Sequence, residues 1–322
     1  MQKIGNITTT ADANGEWTNG NVAAGTPPTI LDAAWLNTVQ RELANVVTGA
    51  GMVLAPANDA QVLAALKFFI SQGTAGLVGD MRNGKMSIPT ASATATFTAD
   101  EIIVETGLGG SQYRLSSFSK TINLGVTGAG GMDTGTISSG YLAIYAIYNP
   151  TTGVSALLGF NPAGSVAPNI YAGSNMPTGF TASALVSVWL VASSLLVAGS
   201  QSERECSPTN QLIVGGNAAT TTAAVIVFPT AAFPMNAKTI SGYATVTAAA
   251  GQTAEAWLLA RNALNQGYRF AVNASAISVG GIGIATPFSR HPIYTPGTLY
   301  YAAFGTTATS FSLGFNVTGY TI

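Results

Sequence analysis

Gly128 to Gly135 reads GAGGMDTG, four glycines in eight positions, and glycine-rich runs of this kind can cradle a phosphate on backbone amides. A dinucleotide fingerprint needs glycine at the first, third and sixth positions, and the sixth here is Asp133, whose negative charge would face the pyrophosphate. A Walker-type loop needs Lys followed by Ser or Thr, whereas Gly135 is followed by Thr136 and Ile137. Both loops also open a helix, and TISSGYLAIYAIYN reads as strand. The run is therefore expected to be a turn within a β module, with Asp133 capping it through backbone amide hydrogen bonds.

Other reactive residues are sparse. A Ser or Cys hydrolase usually needs a histidine base, and the single histidine, His291 in SRHPIY, reads as a loop residue before proline. Cys206 is the one cysteine, which excludes an internal disulfide or a multi-thiolate metal site, and it lies in the polar SERECSPTN stretch as a linker thiol. No D-x-D run suggests calcium. For two-carboxylate glycoside hydrolysis the candidates beyond the N-terminal region are Asp80, Asp100, Glu101, Glu105, Asp133, Glu203, Glu205 and Glu255. Glu255 alone lies in the C-terminal segment, so a pair there would have to cross a subunit interface. No cofactor and no metal site are expected, and the chain is read as a non-enzyme.

The elements that would position these residues emerge from composition and periodicity. Of 322 residues only 8% are charged, against roughly 25% in an ordinary soluble domain, and the formal net charge is −1. Scattered basic residues make no patch for nucleic acid. The longest apolar run, LVSVWLVASSLLVAG from Leu185 to Gly199, is about 15 residues and contains three serines, short of a bilayer span. It reads as one long or two short buried strands, and no membrane insertion is expected. MQKIGNITTT lacks an apolar signal core, so synthesis in a cytoplasm is expected.

Residues 1–75 differ from the rest. ADANGEWTNGNVAAGTPP is a turn-rich arm, after which Thr29 is a candidate N-cap for a helix carrying Trp35, Val39, Leu43 and Val46. Gly49 and Gly51 stop it, and Asn58 is placed to cap a second helix with Val62, Leu66, Phe69 and Ile70 on one face. So small a pair must pack on symmetry mates or on a partner, which suits an attachment device. Residues 76–207 are β in texture, through ATATFTA, EIIVET, YLAIYAIYN and VSALLGF, and end at SQSERECSPTN, read as a surface linker.

Residues 208–322 again alternate, with Gly, Pro and Asn turns, and predict a β-sandwich or jelly roll. This segment holds Glu255 against Lys238, Arg261, Arg269 and Arg290, together with half of the aromatic residues. An aromatic-rich β domain with so little charge suits carbohydrate better than nucleic acid or metal. The expected fold is mainly β with a short helical N-terminal region, as antiparallel modules ending in a sandwich.

Two stretches carry a resemblance. QKIGNITTTADANGEWTNGNVAAGTPPTILDAAWLNTVQRELANVV, with Trp35, Asn37, Gln40, Glu42 and Leu43 in a W-x-N-x-x-Q-x-E-L helix, resembles the N-terminal region of tail fibre proteins of bacteriophages and phage-tail-like bacteriocins. INLGVTGAGGMDTGTISSGYLAIYAIYNPTTGVSALLG is similar to a β module recurring in the same fibres, where GAGGxDTG precedes an aromatic strand and an NPxxG turn. The two cover roughly the first half of the chain; the segment from about Thr209 carries no such match.

The resemblance implies an intertwined homotrimer in a virion tail. Its N-terminal region would bind baseplate or tail proteins, and its C-terminal domain a bacterial surface glycan such as lipopolysaccharide. It also implies a small assembly chaperone. On that reading 1–75 attach, 76–207 form a trimerising shaft or neck, and 208–322 mediate adsorption. Aromatic faces would take sugar rings, and Arg forks the phosphate or carboxylate groups of the glycan. The candidate glycan-binding residues are Trp257, Tyr268, Arg269, Arg290, His291, Tyr294 and Tyr300. Two rival readings are a tail-fibre glycan depolymerase and a purely structural fibre segment.

Overall fold

The computed structural model describes residues 2–72, 76–216, 220–227, 232–263, 266–276, 278, 280–305 and 311–322. The chain divides into two compact units, Met1–Ala75 and Gly76–Ile322.

In the first unit the arm is held by side chains that imitate backbone partners. Asp12 Oδ1 accepts the Asn14 and Glu16 amides at 2.9 and 2.8 Å, and Thr29 Oγ1 accepts the Thr18 amide at 2.8 Å. That engagement removes Thr29 from the expected capping role. Helix α1 (Ala33–Gly49) is capped by Asp32, whose Oδ1 accepts the Ala34 amide at 2.7 Å. Ahead of α2 (Gln61–Gln72), Asn58 Oδ1 accepts the Ala60 amide at 3.0 Å. Of the described residues here, Ile4, Val47, Ala50 and Ala65 are the buried apolar ones, while Leu66, Phe69 and Ile70 are exposed. Two helices and an arm have no further layer with which to cover that apolar surface.

The second unit is built of antiparallel strands. Its first part contains β1 (Met81–Arg82), β2 (Lys85–Ile88), β3 (Thr94–Glu105), β4 (Gln112–Asn123), β5 (Gly140–Asn149) and β6 (Val154–Phe160). The middle contributes β7 (Ala182–Ala192), β8 (Leu195–Leu196), β9 (Gly199–Ser202), β10 (Glu205–Pro208), β11 (Gln211–Gly216) and β12 (Thr220–Val227). The remainder supplies β13 (Thr239–Ala249), β14 (Thr253–Leu259), β15 (Gly267–Asn273), β16 (Gly281–Pro292), β17 (Thr298–Gly305) and β18 (Phe311–Thr321). One sheet runs β16-β13-β18-β10-β9-β2-β3-β7-β5-β6, with β1 and β4 also on β3, β8 on β7 and β11 on β18. A smaller sheet runs β12-β17-β14-β15.

The smaller sheet packs on the β13, β16 and β18 end of the larger one. Ring contacts join them: Phe270 with Phe315 at 5.9 Å, Tyr301 with Phe315 at 6.3 Å, and Tyr268 with Phe288 at 6.1 Å between centroids. This is a two-sheet sandwich, in which alternate residues of β14 and β15 point inward. The mainly β fold with a short helical N-terminal region is as the alternation predicts.

SQSERECSPTN is not a surface linker. It forms the β9–β10 hairpin inside the larger sheet, where β10 also pairs with β18 through Cys206 and Tyr320. The expected boundary at 207/208 falls within β10, so strands from both sides share one sheet. Ser202, Glu205 and Ser207 stay exposed, whereas Gln201 is buried and Arg204 half-buried, each with main-chain partners. Gln201 Nε2 donates to the Val186 and Glu203 carbonyls at 2.8 and 2.8 Å, and Arg204 donates to the Leu185 and Gly79 carbonyls at 2.8 and 2.6 Å. Cys206 is buried, and burial pushes its thiol up to about 12, which suppresses the thiolate.

GAGGMDTG is a turn packed on β6, with no helix after it; β5 follows from Gly140. The Gly130 amide donates to the Leu157 carbonyl at 2.7 Å, Met132 is fully buried, and a Cβ on Gly131 would collide with the Val126 carbonyl. Asp133 Oδ1 accepts the Thr134 amide at 2.7 Å, and Oδ2 accepts the Tyr171 hydroxyl at 2.8 Å. The apolar run 185–199 resolves into most of β7, a Ser193–Ser194 turn with positive φ, and β8, ending where β9 begins. No helix among the described residues is long and apolar enough to cross a membrane.

Candidate functional site

The outward face of the smaller sheet gathers three of the residues singled out from the sequence. Strand β14 sends Ala254, Ala256 and Leu258 inward, which leaves Glu255 and Trp257 outward. On β15, Phe270 and Val272 are buried, and Arg269, Ala271 and Asn273 face out. Register places Trp257 opposite Arg269 on one side and Ala302 on the other, with Glu255 opposite Phe304 and Leu259 opposite Tyr300. Gly267 permits this register, because a Cβ there would strike the Leu258 carbonyl.

Glu255 organises the face. Its carboxylate takes a bidentate pair from Arg269, Nε to Oε1 at 2.8 Å and a terminal nitrogen to Oε2 at 2.7 Å. Trp257 Nε1 also donates to Oε1. The Arg269 guanidinium carbon lies 5.7 Å from the Trp257 ring centroid, a cation–π contact. The Arg269 bonds, with the Trp257 bond adding to them, hold the Glu255 carboxyl below its ordinary range against a smaller opposing effect of burial. Beside the pair is a cleft of about 450 Å³ lined by Glu255, Arg269, Asn273 and Phe304 among others. Its surface offers the Phe304 ring, the Asn273 amide and a carboxylate whose charge is matched, so it can bind hydroxyls and C–H faces without a net charge.

The remaining candidates are elsewhere. Tyr268 turns inward, stacks with Phe270 at 6.3 Å, and donates its hydroxyl to the Ser289 carbonyl at 2.7 Å. His291 is not a surface loop residue: it is 1% exposed on β16, 6.0 Å from the Tyr268 ring. It hydrogen-bonds the Leu259 carbonyl of the facing sheet, its Nε2 has no partner, and burial lowers its pKa. Arg290 sits at a bulge of β16 with φ +48, its amide donating to Ser241 Oγ at 3.0 Å. Tyr294 is exposed under the Arg261 guanidinium, 4.7 Å from its centroid. Burial of Tyr268 and His291 follows from the inward parity of their strand positions.

Sequence reasoning counted Glu255 as an isolated carboxylate and passed over Phe304 and Asn273. The E-A-W spacing is the readable signal, since alternation puts Glu255 and Trp257 on one face. The cross-strand placement of Arg269 has no such local sign. No group of three or more His, Cys, Asp or Glu side chains able to hold a metal occurs among the described residues.

No protein-family model matches the chain, and the curated proteins yield no match. Solved structures give remote likenesses. The insecticidal delta-endotoxin Cry8Ea1 from Bacillus thuringiensis is 10% identical with a TM-score of 0.21, over 80% of this chain and 55% of that one. A Bacillus thuringiensis Cry1Da tryptic core variant is 9% identical with a TM-score of 0.16, over 79% of this chain and 54% of that one. The infectious bursal disease virus Gx strain structure is 9% identical with a TM-score of 0.09, covering 76% and 74%. The chain spans about half the length of the two endotoxins. Similarity this low carries no argument about fold or activity.

Proposed function

We propose that this chain is a non-enzymatic, receptor-binding tail fibre protein, and that the outward face of the smaller sheet binds an uncharged sugar of a bacterial surface glycan. The Glu255–Arg269–Trp257 arrangement carries the reading. Arg269 spends its fork on Glu255, so the face has little left for a phosphate or carboxylate, while the Phe304 ring in the cleft and the outward Trp257 ring beside Arg269 suit sugar C–H faces. The two stretches that resemble tail fibres supply the biological setting, including attachment through residues 1–75 to a baseplate or tail, with a chaperone assisting assembly. Exposed apolar side chains on α1 and α2, Leu43, Leu66 and Phe69 among them, support a homotrimer or a partner that covers them.

A bacterial polysaccharide array probed with the purified protein and with Trp257→Ala tests this. The expected result is binding to uncharged polysaccharides that is insensitive to salt and falls about tenfold or more in the variant. Binding confined to acidic polysaccharides and lost in high salt would refute the uncharged-sugar assignment. New reducing ends after incubation would instead establish a depolymerase.

A further inference from the structure

A second cleft, about 640 Å³ in volume, is assembled from the segment before β1, the end of β3 and the turn after it, the 166–169 loop, β7, the β9–β10 turn, the residues before β13 and Ile322. Its volume falls within the range of about 300–1,000 Å³ usual for small-ligand sites. Glu105 lines it and is 4% exposed. One carboxylate oxygen accepts Gln112 Nε2 at 2.7 Å, and Gln112 is otherwise committed to Gly76. Among the described residues no donor to its second oxygen is seen. A carboxylate this buried and half-satisfied favours a ligand that brings a donor.

The rest of the lining narrows the ligand class. Asp80 and Glu105 are offset by Arg204 and Lys238, so neither sign of charge is favoured. Leu77 and Leu108, which also line it, are large apolar side chains 76% and 78% exposed. Acceptors and donors together with exposed aliphatic side chains match a molecule with hydroxyls on its edge and C–H groups on its face. We propose that this cleft is a second binding site and that it takes a neutral monosaccharide or a neutral sugar unit of a longer glycan, with a ring hydroxyl donating to Glu105. It shares no residue with the sheet face, so either site can fail alone.

Saturation-transfer NMR with free neutral hexoses and N-acetylhexosamines, and with glucosamine as an amine control, tests the proposal on the full chain. Wild type and Trp257→Ala should both show transfer to ring protons of a neutral sugar. Glu105→Gln should weaken that binding about tenfold or more, since it removes a charged acceptor. Leu108→Asp, on an exposed position that leaves folding intact, should weaken it as well. Unchanged melting temperatures would exclude unfolding as the cause. The proposal is overturned if no neutral sugar binds, if binding survives both cleft variants, or if only glucosamine binds and salt abolishes it. Loss of all transfer in Trp257→Ala would assign the signal to the sheet face instead.

Discussion

The two units differ in how they treat apolar residues. Gly76–Ile322 encloses a continuous core that includes Trp189, Tyr145, Phe97 and Phe315, all fully buried. Met1–Ala75 buries few side chains and leaves Leu36, Leu43, Leu63, Leu66, Phe69 and Ile70 exposed along its helices. Low charge therefore has two meanings in one chain: in the β unit it reflects interior, and in the helical unit it reflects exposed apolar surface. The β unit should be stable by itself, and the helical unit is expected to gain stability on association.

The largest expected effect lies in the core. Trp189→Ala removes a fully buried indole whose Nε1 donates to the Val197 carbonyl at 2.9 Å, and should cost the β unit about 3–5 kcal/mol. Chemical denaturation followed by near-UV circular dichroism measures it; a change below about 1 kcal/mol would mean that this core is not well packed.

Acid provides a milder challenge to the same unit. Burial lowers the folded-state pKa of His291, so the unfolded chain takes up the proton first as pH falls. Stability is then complete above the unfolded value of about 6.5 and declines as pH drops from there toward the folded pKa. Since the chain has one histidine, a fall in denaturation midpoint between pH 7 and the carboxylate range of roughly 4 is assigned to it. His291→Asn keeps an N–H donor for Leu259 but cannot titrate, and should flatten the decline. A wild-type midpoint constant over that interval would contradict the buried, half-partnered geometry.

The smallest stability effect belongs to the helical unit. Leu66→Ser with Phe69→Ser changes exposed side chains and should shift stability of the isolated chain by no more than about 0.5 kcal/mol per site. The same pair should lower the oligomeric mass seen by light scattering if copies of the chain cover this face. A large loss of stability at concentrations where the chain is monomeric would show that α2 buries these residues after all.

Legibility followed the range of the interactions involved. The strand at Tyr141–Asn149, the hairpin into VSALLGF and the turn at GAGGMDTG were readable because alternation and turn residues are local properties. The helix start at Asp32 was misplaced by three residues, since Thr29 is engaged by Thr18, eleven positions away. SQSERECSPTN was misread as a linker for a related reason: much of it is exposed, but its strand pairs with β18 and half-buried Arg204 reaches the carbonyl of Gly79, 125 residues distant. His291 likewise looked like loop because proline follows it, while pairing with Ile240 and a bond to Leu259 carry it between the sheets.

What this sequence determined by itself was the alphabet of elements: two amphipathic helices, many short strands and tight glycine turns, with one His and one Cys. Those traits depend on side-chain size, periodicity and count, which need no knowledge of distant partners. Strand order, the continuity of the sheet through β10, the union of Glu255 with Arg269 across β14 and β15, and the cleft around Glu105 were decided only by tertiary structure. Register between strands is selected by which faces can be buried together, and that free energy exists only when remote segments meet.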